Sequence, residues 1–204
     1  MYNSNALHRW VGVGVFLLTL GVYIKTMAPA VSFWDCGEFI ATSYILGVPH
    51  PPGSPLYVLL GCVFSLFPVS DVAARVTFMS ALSSALAVWC VYLSMLALGR
   101  RALGGEPLQS FRDSRDIGIL AGAVLASLLL AFSYTQWFNA TEAEVYGYSI
   151  FFTCFGLWLI LYWEGTGHGM QNDRWLLFIA YLFGLGGGLH LLCLLTIPTL
   201  AIFV

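Results

Sequence analysis

Long stretches of this chain contain no Asp, Glu, Lys or Arg at all, among them residues 76–99, 117–141, 145–163 and 175–204. Each matches or exceeds the roughly 17–25 residues that cross the hydrocarbon core of a bilayer, where a helix satisfies every backbone group of such a segment within itself. A fifth span lies between Arg9 and Lys25, whose amine can snorkel to the interface. Composition agrees: 59% of the residues are hydrophobic and 9% charged, against about 45–50% and about 25% in soluble domains. Water cannot be the main solvent of this chain. The expected fold class is all-α and polytopic, a single membrane domain over residues 1–204, with spans near 9–27, 76–99, 117–136, 146–163 and 175–189 and the start of another at 191–204.

Arg9, the apolar run after it and Ala28-Pro29-Ala30 imitate a secretory signal with its cleavage site. Lys25 interrupts the approach to that site and further spans follow, so retention as a first span is expected. The last residues are apolar with no polar flank, as expected of a chain that continues. Cys36, Cys62, Cys90, Cys154 and Cys193 form no C-x-x-C pair and read as packing residues, not a disulfide framework or a zinc site. A net charge of −2 and the lack of any basic run argue against nucleic acid as a partner.

Two connections look ordinary, 100–116 with Arg100, Arg101, Arg112 and Arg115, and 164–174. Two others do not. Residues 28–75 are too long for a connector, and 137–146 hold two carboxylates between two spans. Within the first, residues 56–67 decide the topology. That apolar run is short for a crossing and is bracketed by Pro51, Pro52 and Pro55 before it and Pro68 after it. If it does not cross, Arg9, Arg100, Arg101, Arg112, Arg115 and Arg174 lie inside while Lys25 and Arg75 lie outside, which obeys the positive-inside rule. If it crosses, the rule is met only by turning the N-terminus outward, and Asp35 and Glu38 then face away from Glu142 and Glu144. Length and proline favour the first arrangement, with juxtamembrane helices near 33–46 and 54–67. Asp35, Glu38, His50, Arg75, Glu142, Glu144 and Tyr146 then share the external face, and a break at Gly186-Gly187-Gly188 would bring His190 there too.

Asp35 and Glu38 stand at i and i+3, so a helix beginning near Ser32 presents both on one side, either as a working acid pair or as Ser32 and Asp35 capping that helix. His50-Pro51-Pro52-Gly53 forbids a helix through the imidazole, which is either held rigidly for a substrate oxygen or phosphate or is merely the solvated neighbour of a turn. Thr141 and Glu144 have capping-box spacing; that makes Glu144 the better cap and Glu142 the better functional candidate. His190 is either a helix-end residue or an intramembrane site group. Arg75 either snorkels or holds a lipid phosphate. Two carboxylates and a His can in principle bind a divalent metal, but no residue is assigned to one.

With an acid pair after the first span and His50-Pro51-Pro52 closing the same loop, the chain resembles the GT-C glycosyltransferases, notably protein O-mannosyltransferases. More closely, the segments from Val31 to Thr42 (VSFWDCGEFIAT), Gly47 to Gly53 (GVPHPPG) and Ala140 to Tyr146 (ATEAEVY) resemble bacterial relatives of the transmembrane 260 O-mannosyltransferase family, over essentially the whole chain. The resemblance implies a GT-C-like bundle whose helices in the first external loop do not cross. It implies a glycosyltransferase that moves a sugar, mannose foremost, from a polyprenyl-phosphate donor to a hydroxyl acceptor on protein Ser/Thr or a glycan, with inversion, at the periplasmic face of a bacterial inner membrane. Asp35 matches the catalytic acid and would be the general base. Glu38 would orient acceptor or donor, with His50 and Arg75 facing the departing phosphate and Glu142, Glu144, Tyr146 and His190 completing the donor site. The acids here are separated by two intervening residues where many O-mannosyltransferases have them adjacent, which leaves the partition of roles between Asp35 and Glu38 open. The C-terminal domain or further spans common in such families are not in this sequence, so part of acceptor recognition, and activity with it, is expected to need more than these residues.

Two other functions compete. A transporter would want ionisable groups near mid-span and a repeated half, and neither is visible. A non-catalytic membrane subunit would use the external acids only as caps and interfacial anchors.

Overall fold

The computed structural model describes residues 4–104, 108, 113–165 and 170–203. Arg112, counted above among the inside cations, and the middle of the 164–174 connection lie outside the described residues. Among the described residues every regular element is helical: α1 (Ser4–Thr26), α2 (Cys36–Ile45), α3 (Pro55–Ser65), α4 (Val72–Ala102), α5 (Ser114–Ala131), α6 (Tyr134–Thr141), α7 (Val145–Gly165), α8 (Met170–Gly187), a 3-10 segment (Leu191–Thr196) and α9 (Ile197–Phe203). Four helices are long and apolar enough to cross a membrane: His8–Thr26, Val72–Ala102, Ser114–Ala131 and Val145–Gly165. The segment expected to span near 175–189 is a shorter apolar helix, Arg174–Gly187.

The bundle is organised around α4, which packs against α1, α3, α5, α6 and α7. Its inner face is made of small residues, with Ser80, Ala81, Ser83, Ser84, Ala85 and Ala87 all buried. In lipid, where apolar burial gives little drive for helix association, such a face works by letting backbones approach closely. At Gly147 of α7, an added Cβ would stand 2.7 Å from Ser84 Oγ and 3.1 Å from the Ser80 carbonyl oxygen. Gly147→Val is therefore expected to pry α7 from α4 and cost about 1–3 kcal/mol, seen as a lower melting temperature in detergent. Gly14→Val, at a position where a Cβ meets nothing within 4 Å, serves as the control and should melt with the wild type.

The helix expected over 117–136 is broken. α5 stops at Ala131, and the carbonyls this frees are met in the interior: Tyr23 donates its hydroxyl to the Ala131 oxygen at 2.7 Å, and Ser133 Oγ donates to the Leu130 oxygen at 2.8 Å. With those acceptors satisfied, the chain turns at Phe132-Ser133 and lays down α6 as a separate short helix.

Neither helix of the first loop can cross. At 1.5 Å per residue α3 is about 16 Å long, half the thickness of a bilayer core. The two cross closely at Gly61, where a Cβ would stand 2.2 Å from Ser43 Oγ of α2. Two backbone hydrogen bonds fix the loop to one end of the bundle: Ala28 N–H donates to the Thr141 oxygen at 2.9 Å, and Leu56 N–H to the Gly188 oxygen at 3.1 Å. The first loop, the α6–α7 junction and the end of α8 therefore share one end of the molecule, the arrangement that a crossing of residues 56–67 would have forbidden.

Candidate active site

The first loop enters the site through a backbone turn that most side chains avoid. Trp34 has a φ of 61°, and Asp35 follows in the N-cap position of α2 with a φ of −80° and a ψ of 0°. Its carboxylate makes no side-chain capping bond, so the capping account of Asp35 does not hold: the helix starts at Cys36, not near Ser32, and the aspartate is left facing outward. α2 ends on Leu46 in the left-handed region, with Gly47 N–H returning to the Thr42 oxygen at 2.8 Å, and this reversal carries His50 back over the first turn of the helix.

Glu38 then holds His50 at two points. One carboxylate oxygen accepts the His50 backbone N–H at 2.6 Å and the other meets Nδ1 at 2.7 Å. With Nδ1 committed, Nε2 is aimed at Asp35, 4.0 Å from Oδ2. The bond from Glu38 is also the main reason the His50 pKa is raised above its ordinary 6.5, with Asp35 and Glu144 adding to it, while the Glu38 carboxyl is lowered by the same bonds. The imidazolium is thereby favoured at this spot. Beneath it a ladder of rings runs from His50 to Phe39 (5.7 Å between centroids), to Tyr57 (5.1 Å) and to Tyr148 of α7 (6.0 Å), so the loop is keyed to a spanning helix.

The second acidic segment closes from the other side. Cys36 is fully buried, and its Sγ lies 3.7 Å from both Glu142 Oε2 and Glu144 Oε1. Burial first, then the two glutamates, push its thiol up to about 12, so it remains a proton-bearing, weak donor between them. The capping-box reading of Glu144 also fails: Thr141 is the last residue of α6 and bonds back to the Trp137 and Phe138 oxygens, while Glu144 is turned inward and only 6% exposed. Desolvation, followed by the charge of Asp35, raises its pKa from 4.5 to about 7.

Asp35, Glu142, Cys36, His50 and Tyr57 are titratable groups coupled to Glu144, and the raised value bears on stability. Between pH 4.5 and about 7 the unfolded chain gives up this proton and the folded chain keeps it, so stability falls as pH rises through that window and is level above it. Glu144→Gln should remove up to about 3 kcal/mol of that loss. Thermal melts from about pH 5 to about pH 8 check it; curves for wild type and variant that stay parallel would contradict it.

His190 and Tyr146 meet edge to face with centroids 5.5 Å apart, and His190 Nδ1 accepts the Leu192 N–H at 3.2 Å as the cap of the 3-10 segment. Arg75 turns Nη1 to the Ser65 and Phe67 carbonyl oxygens at the C-terminus of α3, whereas His50 precedes its N-terminus. Asp35, Glu38 and His50 each offer a ligand atom within 4.8 Å of the others, a spacing that could hold a divalent cation.

Against known proteins, the family model described as the protein O-mannosyl-transferase TMEM260 N-terminal domain matches residues 35–204. The mouse protein O-mannosyl-transferase TMEM260 is 31% identical over 146 residues, covering 71% of this chain and 18% of its own length. A Dictyostelium discoideum protein of the same name is 28% identical over 164 residues, covering 79% of this chain and 18% of its own. The chain thus spans less than a fifth of the length of these relatives. No solved structure matches it.

Proposed function

The chain belongs to the TMEM260 N-terminal domain family, and on that premise we propose that it carries the catalytic site of a GT-C-type glycosyltransferase. The reaction moves mannose from a polyprenyl-phosphate carrier to the hydroxyl of a protein Ser or Thr at the non-cytoplasmic face of the membrane. One observation carries this reading: an exposed aspartate, relieved of any capping role, faces the free nitrogen of an imidazole that a second carboxylate holds in place. Charge asymmetry supports the sidedness, since Arg100, Arg101 and Arg174 lie at the end of the bundle away from the acids.

In this mechanism Asp35 accepts the proton of the acceptor hydroxyl as its oxygen attacks the anomeric carbon. The new C–O bond forms on the face opposite the phosphate. The bond from the anomeric carbon to the phosphate oxygen breaks, both electrons leave with the lipid phosphate, and the sugar inverts. His50, kept cationic by Glu38, stabilises the charge that collects on the departing phosphate. Glu142, Tyr146 and His190 line the donor side, and Glu144, raised to about 7, carries only part of a charge beside Asp35 near neutral pH, which limits the negative charge the donor phosphate meets on approach. Arg75, drawn to the last carbonyls of α3, has a positioning role: it fixes the helix whose other end follows His50.

The test is reconstitution of the full-length protein in vesicles with mannose labelled on either a polyprenyl phosphate or a nucleotide diphosphate, together with a Ser/Thr peptide. The expected product is a mannosyl peptide of inverted configuration, formed from the lipid donor. Transfer from the nucleotide donor alone, or with retained configuration, would overturn the proposal.

A further inference from the structure

The two residues just before Asp35 are turned out of the fold. Phe33 is 84% exposed and Trp34 83% exposed, and Val31 and Val48 are also exposed, so the acid is bordered by an apolar margin. The Trp34 backbone adds a second observation. Its φ of 61° lies in the left-handed region that bulky side chains avoid and glycine occupies freely. The chain needs this turn to start α2 at Cys36 and leave the Asp35 carboxylate outward, but glycine would make it without strain. The turn therefore explains the conformation and not the indole. A large ring held in a disfavoured conformation, turned to the outside and next to a catalytic carboxylate, points to a binding role.

Resting on the glycosyltransferase reading, we infer that Phe33 and Trp34 seat the acceptor polypeptide, an extended neutral or basic segment whose apolar side chains lie on the two rings while its hydroxyl reaches Asp35. The occupant follows from position and charge. Trp34 adjoins the group that takes the acceptor's proton, so its ring borders the acceptor side of the site. Asp35 and Glu38 flank the His50 imidazole and Glu142 meets Cys36 beside them, three carboxylates to one imidazolium, an arrangement that disfavours acidic peptides and an anionic lipid surface and attracts a basic segment.

Occupancy can be read without sugar transfer. In membranes carrying the full-length F33C variant, a membrane-impermeant maleimide should label position 33, and a Ser peptide with flanking aromatic and Lys residues should slow that labelling. The same peptide with Asp in place of Lys should not. In kinetics, Trp34→Ala should raise the peptide KM about tenfold with kcat and the donor KM little changed. Trp34→Gly should do the same while melting no lower than wild type, because glycine suits the backbone there; this separates lost binding from lost folding. Protection of position 33 without any mannose transfer would keep this inference and sink the glycosyltransferase reading. Transfer that proceeds while the peptide neither protects position 33 nor changes KM in the Trp34 variants would overturn the inference and leave that reading standing. A rise in the donor KM in place of the peptide KM would also overturn it.

Discussion

If Asp35 is the base of the proposed reaction, Asp35→Asn is expected to lower the rate of mannose transfer by about 10²–10⁴-fold, the range for a general base that can no longer take a proton. The substitution keeps the shape of the side chain and deletes only its basicity. Because the carboxylate makes no capping bond, α2 does not depend on it, and the variant should melt close to the wild type. Single-turnover transfer from a labelled polyprenyl-phosphate donor, with donor binding measured separately, isolates the chemical step. A variant within a few-fold of wild type would remove Asp35 from the role of base, and Glu38 would be the next residue to test, since the two acids flank the same imidazole.

His50→Ala is expected to cost about 10²-fold, comparable to the loss of one donor that stabilises a developing oxyanion. The pH profile carries more information than the magnitude. Glu38 raises the His50 pKa, so the imidazolium persists to higher pH than for a free histidine and is lost as pH rises further. The wild-type rate should therefore fall on the alkaline side. Glu38→Gln keeps an acceptor for the backbone N–H but withdraws the negative charge, so the fall should begin at lower pH. His50→Gln should abolish that limb and recover part of the rate, because its amide still donates. If all three proteins share one alkaline limb, the group responsible lies elsewhere.

How far the sequence forecasts this site depends on whether the signal was periodic or geometric. The charge-free runs that became α4, α5 and α7 declare themselves, because hydrocarbon leaves the backbone no alternative to a helix. The pairing of the first loop with the α6–α7 junction was available only as one of two topologies, since charge counting was satisfied by both. Contacts of Cys36 with Glu142 and Glu144 distinguish them. The break after Ala131 had no local signal, as the hydroxyl that satisfies its carbonyl comes from Tyr23, far away in sequence. Spacing suggests a cap for Glu144, whereas Thr141 is already used to end α6. Cys36 reads as packing from sequence and is buried in the core, while its contacts with both glutamates arise only in the fold. For Arg75, sequence allowed a phosphate ligand, and its actual partners, the carbonyls ending α3, are a matter of tertiary approach.

In the proposed arrangement one site, built from the first loop and the α6–α7 junction, opens on the non-cytoplasmic side. Thiols introduced one at a time at the exposed positions Phe33, Val48 and Tyr134, and at Leu103 beyond the far end of α4, test it directly with an impermeant maleimide on sealed membranes. The first three should label from the non-cytoplasmic side and Leu103→Cys only after the membranes are opened. Labelling of Phe33→Cys and Tyr134→Cys from opposite sides would break the site in two and rule out this arrangement.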